Sequence, residues 1–326
     1  MTDRTPWGLL LLVVVLLAVL CGLSLVAGKV WIPWDAWFSH DLRWAIIAEL
    51  RLPRTILAVF VGASLAMCGA AFQGYTRNPM ADPGILGVSS SASFGAVLTL
   101  YMGMGASSVW LLATGGMLGA LIGTTLLILM SGATSSVLTF LLAGLFLNTI
   151  ASSLTALALN LAPTPWAVNE IVNWLLGSLA DRSFDEVTFA LPFMVIGMGI
   201  LLFTGRTLDA LTLGESTARS MGVHVNRARL LIVLGVGLAV GASVAVTGSI
   251  GFVGLFTPHM VRPFVGSRPS ATLIPSALVG AVIVLAADIA VRVFPSTVEL
   301  KLGVAMAILG GPFFLARLMN VRRTVA

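Results

Sequence analysis

Asp288 is the one acid within an otherwise apolar run, and Arg292 stands four residues after it. On a helix that spacing puts both on one face, so an ion pair would explain the acid, while a charge so placed also marks a functional position. A proton relay needs several such groups, and the other apolar runs lack them. Of His40, His224 and His259, only His259 falls near an apolar run, behind Pro258 at a helix break, where it reads as a hydrogen-bonded structural group. Cys21 and Cys68 both lie inside apolar runs and read as small packing residues. No residues assemble into a metal site or a nucleophile with its base. No glycine-rich nucleotide loop is present, which excludes ATP hydrolysis by that route for this chain.

Two polar interruptions have more to offer. Asn78-Pro79-Met80-Ala81-Asp82-Pro83-Gly84 reads as a sharp turn, in which the prolines stop one helix and Gly84 frees the backbone before the next. Leu213-Gly214-Glu215-Ser216-Thr217-Ala218-Arg219-Ser220-Met221-Gly222 lies in the longest polar stretch, 205–227. Its glycines, with Glu215, Thr217 and Arg219, suit a short amphipathic helix–turn–helix outside a bilayer, and long structured loops are usually functional.

The elements that position these residues are apolar. The 326 residues are 58% hydrophobic and 10% charged, with a mean hydropathy of +1.03. A soluble domain carries roughly a quarter charged residues, so this chain cannot face water all round. Trp7 to Ala27 is uncharged and long enough to cross a hydrocarbon core about 30 Å thick. Asp3 and Arg4 nearly cancel, and Lys29, Trp31 and Trp34 follow like an interfacial anchor, which fits a retained segment better than a cleaved signal peptide. The pattern predicts an all-α, polytopic membrane protein with about ten transmembrane helices: 7–28, 52–75, 86–104, 109–130, 137–160, 187–204, 228–248, a short 249–266, 272–293 and 301–319. A Trp-rich connection runs to Leu50, and the mixed stretch 161–185, with Pro163, Pro165, Trp166 and Trp174, suits an interfacial helix.

With the N-terminus inside, the inner connections hold 11 basic residues: Arg4, Arg77, Arg206, Arg219, Arg227, Arg229, Arg262, Arg268, Arg317, Arg322 and Arg323. The outer side holds 7: Lys29, Arg43, Arg51, Arg54, Arg182, Arg292 and Lys301. Asp35, Asp41, Glu49, Glu170, Asp181, Asp185, Glu186 and Glu299 fall outside, so both termini are expected in the cytoplasm. Arginines spread over short loops read as topology signals, and the net charge of +5 does not point to nucleic acid.

Val61-Gly62-Ala63-Ser64-x-Ala66-x-x-Gly69 aligns with Val240-Gly241-Ala242-Ser243-x-Ala245-x-x-Gly248 at an offset of 179, which also pairs Pro79 with Pro258 and Gly87 with Gly266. Five segments per copy is odd, so the copies would point in opposite directions, the inverted repeat of many transporters.

In order along the chain stand Arg51-Leu52-Pro53-Arg54-Thr55, Val61-Gly62-Ala63, Gln73-Gly74, Asn78 to Gly87, Leu213-Gly214-Glu215-x-x-Ala218-Arg219-x-x-Gly222, Gly251-Phe252-Val253-Gly254-Leu255-x-x-Pro258-His259 and Glu299-Leu300-x-x-Gly303. Over roughly residues 7–320 this resembles the permease family of type II ABC importers for iron-siderophores, haem and vitamin B12. The resemblance implies one permease domain over 1–326, with neither enzymatic activity nor cofactor, in a bacterial inner membrane. It implies a second copy of the chain, two copies of a cytoplasmic ATP-binding subunit, and a periplasmic or surface-anchored substrate-binding protein. By the same resemblance Leu213, Gly214, Glu215, Ala218, Arg219 and Gly222 couple to the ATPase, Arg51, Arg54 and Arg292 dock the binding protein, and Ser136, Val137 and Leu138 form a cytoplasmic gate. Vitamin B12 permeases of that family carry small hydroxyl residues at the last two positions. Val137 and Leu138 depart from this, which leaves iron-siderophore, then haem, ahead of vitamin B12 as the expected cargo. The rival, an ion-coupled secondary transporter, calls for several buried ionisable groups, and a membrane enzyme for His, Asp or Glu clustered at one depth.

Overall fold

The computed structural model describes residues 7–33, 42–105, 108–132, 136–266, 268–295 and 299–325. Asp3, Arg4, Trp34, Asp35, His40 and Asp41 lie outside them, as do the side chains of Arg317, Arg322 and Arg323. Among the described residues the regular structure is helical throughout.

Helix α1 (Trp7–Val26) is apolar on every face and mostly exposed, as a helix against lipid should be. The next segment starts earlier than the sequence suggests. α2 (Leu42–Ala45) runs through a π-helical turn, Ile46–Arg51, straight into α3 (Leu52–Thr76). Pro53 would drive its ring into the Glu49 carbonyl of an ordinary α-helix. The wider turn, in which the Leu52 N–H reaches back to Ile47, accommodates it without ending the helix. After a 3₁₀ turn at Pro83–Leu86 come α4 (Val88–Tyr101), α5 (Val109–Ser131) and α6 (Val137–Asn160). α4 is shorter than the apolar run because Gly87 (φ 75°) and Gly103 (φ 71°) bound it in left-handed conformation.

The short α7 (Pro165–Leu175) occupies the mixed stretch, and α8 (Phe184–Phe203) starts on a Ser183–Glu186 capping box. The long polar stretch folds as two short helices, α9 (Gly205–Leu211) and α10 (Glu215–Ser220). The chain ends with α11 (Val225–Thr247), α12 (Val253–Val265), α13 (Pro269–Val293) and α14 (Leu302–Val325). Among the described residues seven helices are long and apolar enough to cross a membrane, and α4 and the apolar part of α14 are shorter apolar helices.

The packing follows the repeat. α3 packs on α13 and α12, while its counterpart α11 packs on α5 and α4. α3 and α11 are also the most deeply buried of the long helices. The counterparts α4 and α12 are both short and flanked by glycine or proline breaks. Backbones touch at the crossings: a Cβ on Gly62 would run into the Gly280 carbonyl group, and one on Gly69 into Gly254. One pair departs from the symmetry, since α8 packs closely on α11 whereas α1 barely touches α3 and lies on α13 instead.

Candidate functional site

At one end of the bundle, the start of α3 meets the end of α13 in a buried ion cluster. The Asp288 carboxylate is fully buried and accepts from Arg54 Nε at 3.0 and 3.1 Å and from Arg54 Nη2 at 2.8 Å. Arg292, one turn along α13, reaches the same carboxylate at 3.0 Å, so the expected i,i+4 pair is present. Arg54 also binds Glu299. Both arginines are largely buried themselves, with 11% and 7% of their side chains exposed. Two guanidiniums thus hold one carboxylate through charge-assisted contacts.

Arg292, together with Arg51, also finishes α1, whose last carbonyls have no partner within their own helix. Arg292 Nη1 donates to the Ser24 carbonyl at 2.9 Å, and Arg51 donates to the carbonyls of Leu25 at 3.0 Å and Val30 at 2.6 Å. Cations at a helix C-terminus also suit its dipole. Arg51, Arg54 and Arg292 thus converge on one open cavity of about 200 Å³, whose wall adds Lys29, Asp181, Arg182 and Glu299. Burial pulls the Arg182 pKa down against Glu186 and Asp181, which favour its charged form. Five cations face two carboxylates across this wall, and Asp288 and Glu186 behind it leave an excess of positive charge.

Against the last turns of α3, Pro258 lacks the N–H that would bond the Gly254 carbonyl in a regular helix. Buried Gln73 of α3 supplies the missing donor, reaching Gly254 at 3.3 Å and Leu255 at 3.0 Å, while its own oxygen accepts from Arg262 at 2.9 Å. His259 is placed against α14, its ring 6.2 Å from that of Phe313. The Asn78–Gly84 turn is internally tied: Asn78 Oδ1 accepts from the Met80 N–H at 2.9 Å, and Asp82 Oδ1 from the Gly84 N–H at 2.6 Å. A larger cavity of about 500 Å³ between α4, α5 and α6 has an almost wholly apolar wall (Phe94, Leu98, Leu118, Ile122, Leu126) and too few polar groups to orient a ligand.

At the opposite end lies the 205–227 stretch. Gly214 (φ 101°) and Gly222 (φ 83°) make the bends that bound α10, and Ala218 is fully buried beneath it. Leu213 and Met221 are about 60% exposed, and Glu215 and Arg219 stand 4.0 Å apart on the surface. Sequence reasoning missed the strap that fixes this loop. Asp209 of α9 takes the Ser270 N–H at 2.8 Å, the Ser270 hydroxyl at 2.6 Å and Arg268 at 2.9 Å, which caps the start of α13. Its partners are about 60 residues away, beyond any local pattern. Ser136 caps α6 through the Thr139 N–H at 3.2 Å, and Leu138 is 66% exposed, the first of an apolar row with Leu142, Leu145 and Phe146.

Residues 15–320 match the FecCD transport family. The uncharacterised ABC transporter permease protein YvrB of Bacillus subtilis (strain 168) is 38% identical over 283 residues, which cover 85% of this chain and 80% of YvrB. The vitamin B12 import system permease protein BtuC of Yersinia pseudotuberculosis serotype O:1b (strain IP 31758) is 36% identical over 314 residues, 95% of this chain and 92% of BtuC. A solved inward-facing conformation of a metal-chelate type ABC transporter superposes with a TM-score of 0.88 at 32% identity, over 96% of this chain and 99% of that one. PsaBC from Streptococcus pneumoniae, in complex with Fab, shares the fold alone, with a TM-score of 0.54 at 15% identity over 81% of this chain and 90% of that one. The chain belongs to the FecCD transport family, as an ABC permease subunit.

Proposed function

We propose that this permease imports a metal-chelate nutrient across a bacterial inner membrane, working as two copies with two ATP-binding subunits and a substrate-binding protein. The observation that carries the reading is the reach of α13. Its last two turns hold Asp288 and Arg292 beside the cationic cavity, and its first turn is strapped by Asp209 to the polar loop. One helix therefore spans from a surface fit for acidic residues of a binding protein to a loop fit for an ATPase cleft. Leu213, Gly214, Glu215, Ala218, Arg219 and Gly222 form the coupling element, with exposed Leu213 as its apolar contact. Ser136, Val137 and Leu138 form the gate, where the apolar row of α6 meets its copy, and a hydrophobic constriction blocks water without a charged latch. The loop end faces the cytoplasm together with both termini, in line with the basic excess there. Among cargoes an iron-siderophore ranks before haem and vitamin B12, because Val137 and Leu138 make the gate apolar. Free energy comes from ATP hydrolysed in the separate subunit.

The test is reconstitution in sealed vesicles with the co-expressed ATP-binding subunit and binding protein, offering a ferric siderophore, haem and cobalamin in turn. Uptake should need ATP on the face bearing Leu213, and Glu215→Lys should lower it about tenfold, within the usual range of coupling energies. Uptake driven by an ion gradient with this chain alone would overturn the reading. Preference for cobalamin would overturn the cargo ranking only.

Docking is best probed at Arg51, since Arg54 and Arg292 hold Asp288 in place. Rim charges mainly steer encounter, so Arg51→Ala should slow association of the binding protein several-fold and flatten its salt dependence. Binding kinetics at low and high salt measure both. Wild-type kinetics in this variant would leave Arg51 as a cap of α1.

A further inference from the structure

The coupling loop and the gate are not adjacent in sequence: α10 leads into α11, whereas Val137 and Leu138 begin α6. One buried side chain bridges them. Tyr75, on the last turn of α3, is 2% exposed. Its hydroxyl accepts a hydrogen bond at 2.6 Å from Nε of Arg229, which is buried in the second turn of α11. On its other side the Tyr75 ring meets Phe140 edge-on, with centroids 5.7 Å apart and planes at 85°. Phe140 is fully buried in the first turn of α6, two residues past Leu138.

Neither link is soft. A hydrogen bond from a charged donor inside a packed interior is among the stronger ones, and an edge-to-face ring pair prefers one geometry. Close-packed interiors pass displacement on rather than absorbing it. We infer that Tyr75 is a positioning residue: motion of α10 and the start of α11 passes through Arg229, Tyr75 and Phe140 to the start of α6, and so resets Val137 and Leu138. This rests on the coupling and gate roles proposed above.

The test uses Leu138→Cys in the complex with the ATP-binding subunit. Disulfide cross-linking between the two permease copies is compared without nucleotide and with a non-hydrolysable ATP analogue. In this parent the yield should change between the two states. Adding Tyr75→Phe keeps the ring and removes only the hydroxyl, and should shrink the nucleotide-dependent change about fivefold or more, a coupling-sized effect. Phe140→Leu should do the same from the other side of the contact. A merely structural loss lowers cross-linking in both states alike and leaves their ratio at the parent value. That result in both variants overturns the relay while the gate stands. Absence of cross-linking in the parent in every nucleotide state removes the gate, and the relay with it.

Discussion

Asp288→Ala should destabilise the folded permease by about 3–5 kcal/mol, the cost of breaking a buried ion pair from one side. The carboxylate is fully buried and is shared by Arg54 and Arg292, which are themselves nearly enclosed. Alanine leaves Arg292 with only the Ser24 hydroxyl and the carbonyls of Ser24 and Ala27, and Arg54 with only Glu299. Asp288→Asn should fall between, since an amide keeps the shape and part of the hydrogen bonding without the charge. Equilibrium unfolding in detergent micelles measures both variants. A loss below about 1 kcal/mol, the scale of an exposed pair, would contradict the cluster as described.

Gly69→Val should be the second severe change. A Cβ at this position would lie on the Gly254 carbonyl, and the nearest atoms are all backbone, so no rotamer of a neighbour can relieve the clash. α3 and α12 must then part, which also strips Gln73 from the carbonyls of Gly254 and Leu255. The expected cost is about 3 kcal/mol, the upper part of the range for over-packing. Gly199→Ala is the control, because a Cβ there meets nothing within 4 Å. It should be neutral or slightly stabilising, as alanine favours a helix interior by about 0.5–1 kcal/mol over glycine. Thermal melts of the purified permease compare the two, and equal melting temperatures would show that the crossing yields easily.

Much of this fold is legible in the sequence wherever the signal is local. α6 spans the predicted 137–160, as its apolar run requires, whereas α8 opens at Phe184 on the Ser183–Glu186 pair, three residues before the predicted 187. The i,i+4 relation of Asp288 and Arg292 could be read from spacing alone. The early start of α3 could not, since proline near a helix start ordinarily marks an end to what precedes it, and here a π turn lets the helix pass through. α4 is shorter than its apolar run because hydropathy does not register the left-handed glycines that bound it. The contacts that fix the loop end are long-range: Asp209 with Ser270, Arg229 with Tyr75, Gln73 with Gly254. Each is a pairing of residues with no local pattern, so only the folded chain brings them together.

The ion cluster also imposes an order of events on biosynthesis. Arg54 emerges 234 residues before the carboxylate that neutralises it. Arg54 sits at the start of α3, where an unpaired guanidinium can stay among the headgroups until its carboxylate arrives. α13 faces no such delay, because Asp288 arrives with Arg292 already one turn away on the same helix. Burying Arg54 against Asp288 is therefore a step that waits for nearly the whole polypeptide to be made. A chain truncated before α13 should leave Arg54 without this partner at the lipid surface.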